Sequence, residues 1–384
     1  MPLALTETQQ MIRDTVREFA RDVVEPRAAR IDRDAEWSRE NFDGMAELGL
    51  LALPIPEEYG GAGADYLSYS LAMEELGRVC ASTALTLAAH YSLGTWPIYG
   101  FGTEDQRRRW IPDLAAGKKI GAYGLTEPNA GSDAGGTVTT AIRKGDRYVM
   151  NGSKIFITNG TVADTFVCSA KTDPTQPGSR GISALVLERG MKGFTIKKGQ
   201  EKLGMRGSDW AELYFEDVEV PVEHRLTDEH DGFKVFMTTL DAGRISIGAL
   251  ALGILQGCLD KSVAYSRERR QFDQPIGSFQ AIAAKIADMA VSARAARMLI
   301  YDAARRKDAG QPHTAEGAMA KLFASEACMR AADDAIQIHG GYGFCQEYPV
   351  ERYYRDAKLC EIGEGTSEIQ RIVIARSVLG RFDR

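Results

Sequence analysis

Along TETQQMIRDTVREFARDVV the apolar residues Met11, Ile12, Val16, Phe19, Val23 and Val24 recur at helical spacing, which lays one apolar stripe along a helix. Thr6 followed by Gln9 reads as a capping box at its start, and Pro26 interrupts the pattern. A second helix is predicted over NFDGMAELGLLAL. The segment PIPEEYGGAGAD must be a loop, because Pro and Gly punctuate it. Further helices fall on SYSLAMEELGRV and around TEDQRRRWIPDL.

The pattern changes near Gly121. RYVMNGSKIFITNG reads as two short β runs joined by Asn151-Gly152, a strong hairpin signal. TFVCSA, ISALVLE and AELYFEDVEV follow as strands, separated by Gly, Pro, Asp and Lys. From Gly232 the pattern is helical again. Long helices are predicted within 232–268, 279–309 and 314–338, with a last one starting near Thr366. Gly243, Gly248, Gly253 and Gly257 inside the first of these weaken it locally but permit close helix packing. No internal repeat or low-complexity tract is visible. The fold class is mainly α with a central β domain: residues 1–120 form a helical domain, 121–230 a compact antiparallel β domain and 231–384 a second helical domain.

Composition narrows the function. The chain of 384 residues is 44% hydrophobic and 26% charged, enough apolar material for a large core. A net charge of −6 gives no bulk attraction to nucleic acid or anionic lipid. The six cysteines include no CxxC pair and the five histidines show no ligand spacing, so no metal site is expected. Scattered cysteines suit a reducing compartment. The N-terminus lacks a basic segment followed by an apolar core, and no apolar run is expected to reach transmembrane length. A cytoplasmic protein is the simplest expectation.

Five stretches carry candidate chemistry, and each also has an ordinary structural reading. GLTEPNAGSDAGG (Gly124–Gly136) is a Gly-, Ser- and Thr-rich loop whose backbone N–H groups, with Thr126 and Ser132, could cradle a phosphate; equally it is a solvated turn between domains. In KIFITNG, Phe156 and Thr158 share one strand face and Ile157 the other, which suits a planar ring or simple strand alternation. In ERRQFDQPIGSFQ, Arg269 could meet a phosphate and Phe272 stack on a base, or the segment is a charged helix end. QIHGGYGF ends a helix on consecutive glycines, more than a helix cap needs, while His339 by itself reads as structural. In IGEGTSEIQR, Thr366 or Ser367 caps the last helix and Glu364 stands just before it. The helix dipole favours its anion and an apolar pocket its neutral form, a balance that suits a general base. By spacing alone, Glu364 reads as an exposed loop glutamate. No GxGxxG, GxxxxGK[ST] or GxSxG motif is present.

Taken together and in order, PEEYGGAG, GLTEPNAGSD, GSKIFITNG, RRQFDQPIGSFQ, QIHGGYGF and EGTSEIQR resemble the acyl-CoA dehydrogenase family, over essentially the whole chain and most of all its short-chain, butyryl-CoA-type members. The resemblance implies an N-terminal helical domain, a middle β-barrel domain and a C-terminal four-helix bundle enclosing FAD. It further implies a homotetramer built as a dimer of dimers, with electrons passed to electron-transferring flavoprotein.

It also implies roles. Glu364 matches the base that removes the pro-R α-proton of an acyl thioester while the β-hydrogen leaves as hydride to the flavin, giving a trans-2-enoyl-CoA. The developing enolate oxygen would be held by the base's own backbone N–H and a ribityl hydroxyl of FAD. Tyr123, Leu125, Thr126 and Ser132 match the loop around the flavin ring and pyrophosphate, and Ser132 also faces CoA. Phe156 and Thr158 match the strand against the ring. Arg269, Gln271 and Phe272, with Gln337, Gly340 and Gly341, match contacts to the FAD of a neighbouring subunit. Thr366 and Glu368 match helix-start contacts to FAD. Asp241, Arg244 and Gly365 match the substrate side. The chain departs from the pattern in three places: Phe156 stands where many relatives have Trp, Asp273 where Gly is usual, and Gly363 where many have Tyr. The alternative base position of other branches is Gly243 here, which supports Glu364. The expected activity is FAD-dependent α,β-dehydrogenation of a short or short-branched acyl-CoA, as in fatty acid β-oxidation. The alternatives are an oxygen-using acyl-CoA oxidase or monooxygenase of the same fold, and a non-catalytic helical binding protein.

Overall fold

The computed structural model describes residues 4–380, so the outermost residues of the two expected helical domains, 1–3 and 381–384, lie outside it. Helix α1 (Glu7–Phe19) opens with the expected capping box: the Thr6 N–H donates to Gln9 Oε1 at 3.0 Å and the Gln9 N–H to Thr6 Oγ1 at 3.2 Å. Pro26 does not end this helix. A wide π turn, Ala20–Val24, leads into α2 (Glu25–Asp34), where Pro26 stands in the first turn and its missing N–H costs nothing. Helix α3 (Arg39–Glu47) stops sooner than expected, because Gly49 turns to a φ of 69° and Leu50–Ala52 continues as a buried 3₁₀ turn. Then come α4 (Tyr66–Gly77), α5 (Ala81–Ala88), a second π turn (Ala89–Thr95), α6 (Trp96–Phe101) and α7 (Glu104–Ala115). Helix α4 is buried on every side.

Eight strands follow: β1 (Gly121–Gly124), β2 (Thr140–Lys144), β3 (Arg147–Thr158), β4 (Thr165–Lys171), β5 (Ile182–Glu188), β6 (Phe194–Lys198), β7 (Trp210–Pro221) and β8 (Arg225–Leu226). Their order is β6-β7-β3-β2-β4-β5-β8, with β1 added to β4 in parallel, so the sheet is mostly but not wholly antiparallel. Asn151-Gly152 is not a hairpin turn. β3 runs straight through it, paired to β2 on one edge and β7 on the other. The dipeptide forms a bulge instead: Asn151 Nδ2 donates to Asp217 Oδ1 at 3.0 Å, the Asp217 N–H donates to Asn151 Oδ1 at 2.9 Å, and the register shifts between Met150 and Gly152. The β2–β3 turn lies at Gly145, with φ 64°.

The first helical segment and the sheet meet backbone to backbone. A Cβ on Gly94, in the second π turn, would lie 2.6 Å from the Gly121 carbonyl carbon. The Gly121 N–H donates to His90 Nδ1 at 3.0 Å, and Asn159 Nδ2 donates to the Thr86 carbonyl at 3.1 Å.

The rest is helical: α8 (Gly232–Glu268), a small hairpin of β9 (Arg270–Gln271) and β10 (Gln274–Pro275), α9 (Gln280–Asp308), α10 (Thr314–His339), α11 (Val350–Ile362) and α12 (Ser367–Leu379). Helices α8 and α10 pack on each other and on both α9 and α11, while α12 lies on α10. Contrary to expectation, α8 does contain a window long and apolar enough to cross a membrane, at mean hydropathy 1.5, but 89% of that window is buried inside the protein. Its apolarity faces other helices: a Cβ on Gly253 would lie 2.4 Å from the Glu74 carbonyl oxygen of α4.

One buried ion pair fixes the loop after β1. Lys154, on the inward-facing positions of β3, sends Nζ to Glu127 Oε1 at 2.7 Å, to Ser169 Oγ at 2.7 Å and to the Leu125 carbonyl at 3.2 Å. Glu127 also accepts from the Thr137 hydroxyl and from the Val138 N–H at 2.7 Å. Burial opposes its charge, but Lys154 and these donors hold it below the usual carboxylate range. Removing one partner strands a buried charge, so Lys154→Met is expected to cost about 3–5 kcal/mol. The Lys154→Met/Glu127→Gln double variant should lose less than Lys154→Met alone, as thermal or chemical denaturation would show.

Candidate active site

Glu364 sits in the turn between α11 and α12, with φ 55°, followed by Gly365 at φ 94°. A left-handed glutamate is strained by about 1–3 kcal/mol and persists only where its surroundings insist on it. Here they do. The Thr366 hydroxyl caps α12 by accepting from the Ile369 N–H at 3.4 Å, and Gln370 Nε2 donates to the Gly365 carbonyl at 2.8 Å. The Nζ of Lys321, from α10, donates to that same carbonyl.

The turn aims the carboxylate at α8. Glu364 Oε2 is closed off from solvent and has no hydrogen-bond partner among the described residues. A Cβ on Gly243 would lie 1.9 Å from that oxygen, so the carboxylate fills the space a side chain at 243 would take. The helix is braced from behind at this point. The Tyr66 hydroxyl donates to the Ala242 carbonyl at 2.8 Å, and Ser246 Oγ donates to the Gly243 carbonyl at 2.8 Å. Ser92 Oγ, itself 2.9 Å from the Tyr69 hydroxyl, lies 3.3 Å from Ser246 Oγ. Burial pushes the Glu364 carboxyl up to about 7, against the opposing pull of Lys321 and Arg244. Burial, and to a lesser degree the Glu364 charge, raises the Tyr123 phenol of β1. The Tyr123 hydroxyl donates to the Phe236 carbonyl at 3.1 Å.

Asp241 and Arg244, on either side of Gly243 in the chain, form an ion pair of 2.7 Å, and Thr314 Oγ1 donates to Asp241 at 2.7 Å. Arg244 is buried, and its Nε has no partner among the described residues. Leu125 is buried and Thr126 half-buried, while Ser132 is exposed on the loop. The Ile155 N–H donates to the Thr126 carbonyl at 2.9 Å, which lays this loop beside the segment carrying Phe156 and Thr158. Ile157 is buried, Thr158 half-buried and Phe156 52% exposed, matching the expected two faces. Phe156 has φ 62° in a second β3 bulge and stacks on Trp210 at 5.0 Å.

The other candidates gather elsewhere on the surface. Arg269, Gln271, Phe272, Gln337, Gly340 and Gly341 are all exposed, and the Arg269 guanidinium lies 5.5 Å over the Tyr342 ring. Phe272 and Asp273 have φ of 50° and 60°, the paired positive angles of a two-residue hairpin turn between β9 and β10. Asp273 thus supports the turn without glycine. Phe272 is 87% exposed in a strained conformation. His339 is buried and stacked on Tyr265 at 4.2 Å, a structural residue. Glu368 is exposed in the first turn of α12. Sequence reasoning missed Lys321, Lys154 and Glu127; the available signals were lysines at positions whose spacing belongs to the apolar face.

A flat cofactor with a polar edge fits these residues. Phe156 offers an open aromatic face, the loop and strand beside it carry hydroxyls, and Glu364 Oε2 and Arg244 Nε are buried polar atoms lacking partners. Among the described residues no cluster of His, Cys, Asp and Glu could hold a metal ion.

Comparison with known proteins agrees with this layout. Residues 6–118, 122–218 and 230–379 match the acyl-CoA dehydrogenase N-terminal, middle and C-terminal domain families, respectively. The chain is 50% identical over 378 residues to the short-chain-specific acyl-CoA dehydrogenase of Clostridium acetobutylicum, covering 98% of this chain and 100% of the relative. It superposes on butyryl-CoA dehydrogenase from Megasphaera elsdenii with a TM-score of 0.96 at 45% identity, covering 99% of this chain and 100% of the other. A chain from a structure described as the electron transferring flavoprotein of Acidaminococcus fermentans gives a TM-score of 0.97 at 50% identity, with 99% and 100% covered.

Gly243→Ala tests the niche. The added methyl is expected to expel the Glu364 carboxylate while leaving the melting temperature within a few degrees of the native value. Any proton transfer that Glu364 carries should slow by on the order of 100-fold, the usual consequence of displacing a group by about 1 Å.

Proposed function

The chain belongs to the acyl-CoA dehydrogenase family, and from that premise we propose that Glu364 is its catalytic base and that its substrates are short or short-branched acyl-CoA thioesters. The protein is an FAD-dependent oxidoreductase acting on a CH–CH bond. The observation that carries the assignment of the base is the unpartnered, solvent-shielded Glu364 oxygen packed against Gly243.

The proposed mechanism follows from the chain's own groups. The α-proton of a thioester is weakly acidic, so the base needs an ionised carboxylate of raised basicity that points at the carbon and is kept dry. Burial supplies the basicity, and the positive-φ turn supplies the direction. Taking the proton leaves an enolate, whose oxygen the Glu364 backbone N–H would hold. Bound FAD would supply the acceptor for the β-hydrogen and its electron pair. Tyr123, Leu125, Thr126, Phe156 and Thr158 would hold its ring and Ser132 its phosphates, with Thr366 and Glu368 at the helix start. Asp241, Arg244 and Gly365 would line the substrate side. Arg269, Gln271, Phe272, Gln337, Gly340 and Gly341 would reach the cofactor of a second copy. Their open, strained and partly aromatic surface supports a homotetramer. Electrons would pass to an electron-transferring flavoprotein, and the unpaired cysteines fit a cytoplasmic setting.

Glu364→Gln should keep flavin and lose bleaching by butyryl-CoA under anaerobic conditions by on the order of 100- to 10,000-fold; an unchanged rate would overturn the assignment. Only the ionised carboxylate accepts a proton, so the native rate should climb as pH rises through about 7, the position to which burial moves Glu364. One unit below that midpoint it should be about tenfold lower than its plateau.

Gly363, with φ −65°, has room for a Cβ, its nearest neighbour being the Leu359 carbonyl oxygen at 3.5 Å. We attribute tolerance of branched acyl groups to this space. Gly363→Tyr should therefore lower kcat/KM for isobutyryl-CoA about tenfold more than for butyryl-CoA. Equal losses for both would refute that role.

A further inference from the structure

Lys321 has no exposed surface, yet it lies on α10 among Ala318, Ala320 and Ala324, where an apolar side chain would pack as well. A buried ammonium costs several kcal/mol unless something compensates it. Among the described residues Lys321 forms no ion pair at contact distance. Its Nζ donates instead to the carbonyl of Gly365, the residue after Glu364. The same carbonyl accepts from Gln370 Nε2 at 2.8 Å, so two donors from two helices hold one peptide of the turn.

The charges around this turn are few. Facing Glu364 are Lys321 from α10, Arg244 from α8, the phenols of Tyr66 and Tyr69 from α4 and Tyr123 from β1. Facing Lys321 are Glu364, Arg244, and Cys360 and Glu361 from α11. Arg244 is already matched by Asp241 at 2.7 Å. That leaves Lys321 as the cation whose charge is not met at contact, beside a carboxylate that also lacks a partner.

We propose that Lys321 is the positioning residue of the base: through the Gly365 carbonyl it holds the Glu364–Gly365 turn at positive φ, and its ammonium favours the ionised carboxylate in a niche that would otherwise protonate it. The inference rests on the reading of Glu364 as base. Burial draws Lys321 down to about 8, so it keeps its charge at the pH where Glu364, at about 7, ionises. The ammonium needs no contact with the carboxylate, because in a dry site an opposite charge within several ångströms displaces a titration by one unit or more.

The test is the pH–rate profile of butyryl-CoA reduction by flavin-loaded Lys321→Met, beside Lys321→Arg, Gln370→Leu and Glu364→Gln. Lys321→Met is expected to move the acidic midpoint upward by about one unit or more. At pH 7 a one-unit shift is about a fivefold loss, recovered near pH 9. Lys321→Arg restores the charge and should restore the midpoint. Gln370→Leu loosens the turn without removing charge, so it should lower the rate at an unmoved midpoint. A second readout does not depend on turnover: the infrared band of the protonated Glu364 carboxyl, recognised by its absence in Glu364→Gln, should titrate higher in Lys321→Met. Should Lys321→Met not load flavin, Lys321→Gln, which can still donate to Gly365, takes its place. A native midpoint in the neutral variant, by rate and by infrared, overturns the proposal. If Glu364→Gln still turns over, the base assignment falls instead.

Discussion

The Glu364 carboxylate and a side chain at position 243 cannot occupy the same space, and much of the candidate site is arranged around that exclusion. The oxygen lies where a Cβ of residue 243 would be. For the carboxylate to reach it, the α11–α12 turn must take a left-handed glutamate, which costs backbone energy. For the niche to stay narrow, α8 must not shift, and the hydrogen bond from Tyr66 of α4 holds its carbonyl at 242. Glycine at 243 is therefore part of how the Glu364 carboxylate is held.

Strain marks three of the candidate residues. Phe156, Phe272 and Glu364 are bulky, and all three have positive φ. They lie in a strand bulge, a hairpin tip and an interhelical turn, so no shared local motif accounts for it. Phe156 and Phe272 point outward, and a carboxylate oxygen of Glu364 is buried. Stored strain at places where a side chain must be aimed at a ligand is a common economy of active sites.

Much of this was legible in the chain. The helix–sheet–helix order, the capping box at Thr6 and the long helices α8 to α10 follow from periodicity and caps. The failures have physical causes. Asn151-Gly152 carries the chemistry of a hairpin turn, but the Asn151 amide found Asp217 across the sheet and became a bulge. The run from Ala81 to Phe101 went unread because residues buried on all sides show no stripe. Glu364 by itself looked like a solvated loop residue, and only the order of the other motifs reversed that reading. Lys321 and Lys154 escaped notice because a lysine inside an apolar pattern reads as noise until its partners across the fold, Gly365 and Glu127, are seen. Such partners are 44 and 27 residues away in the chain, beyond any local rule.

The contact of Gly94 with Gly121 bears on how the molecule moves. Layers of secondary structure slide past one another when the side chains between them switch rotamers. Where Gly94 meets Gly121 there is no side chain to switch: main chain lies on main chain, and the His90 and Asn159 side chains pin the contact. This seam has no lubricant. The strand that carries Tyr123 is thus held against the first helical segment at a fixed spacing, set by main chain and by two buried side chains.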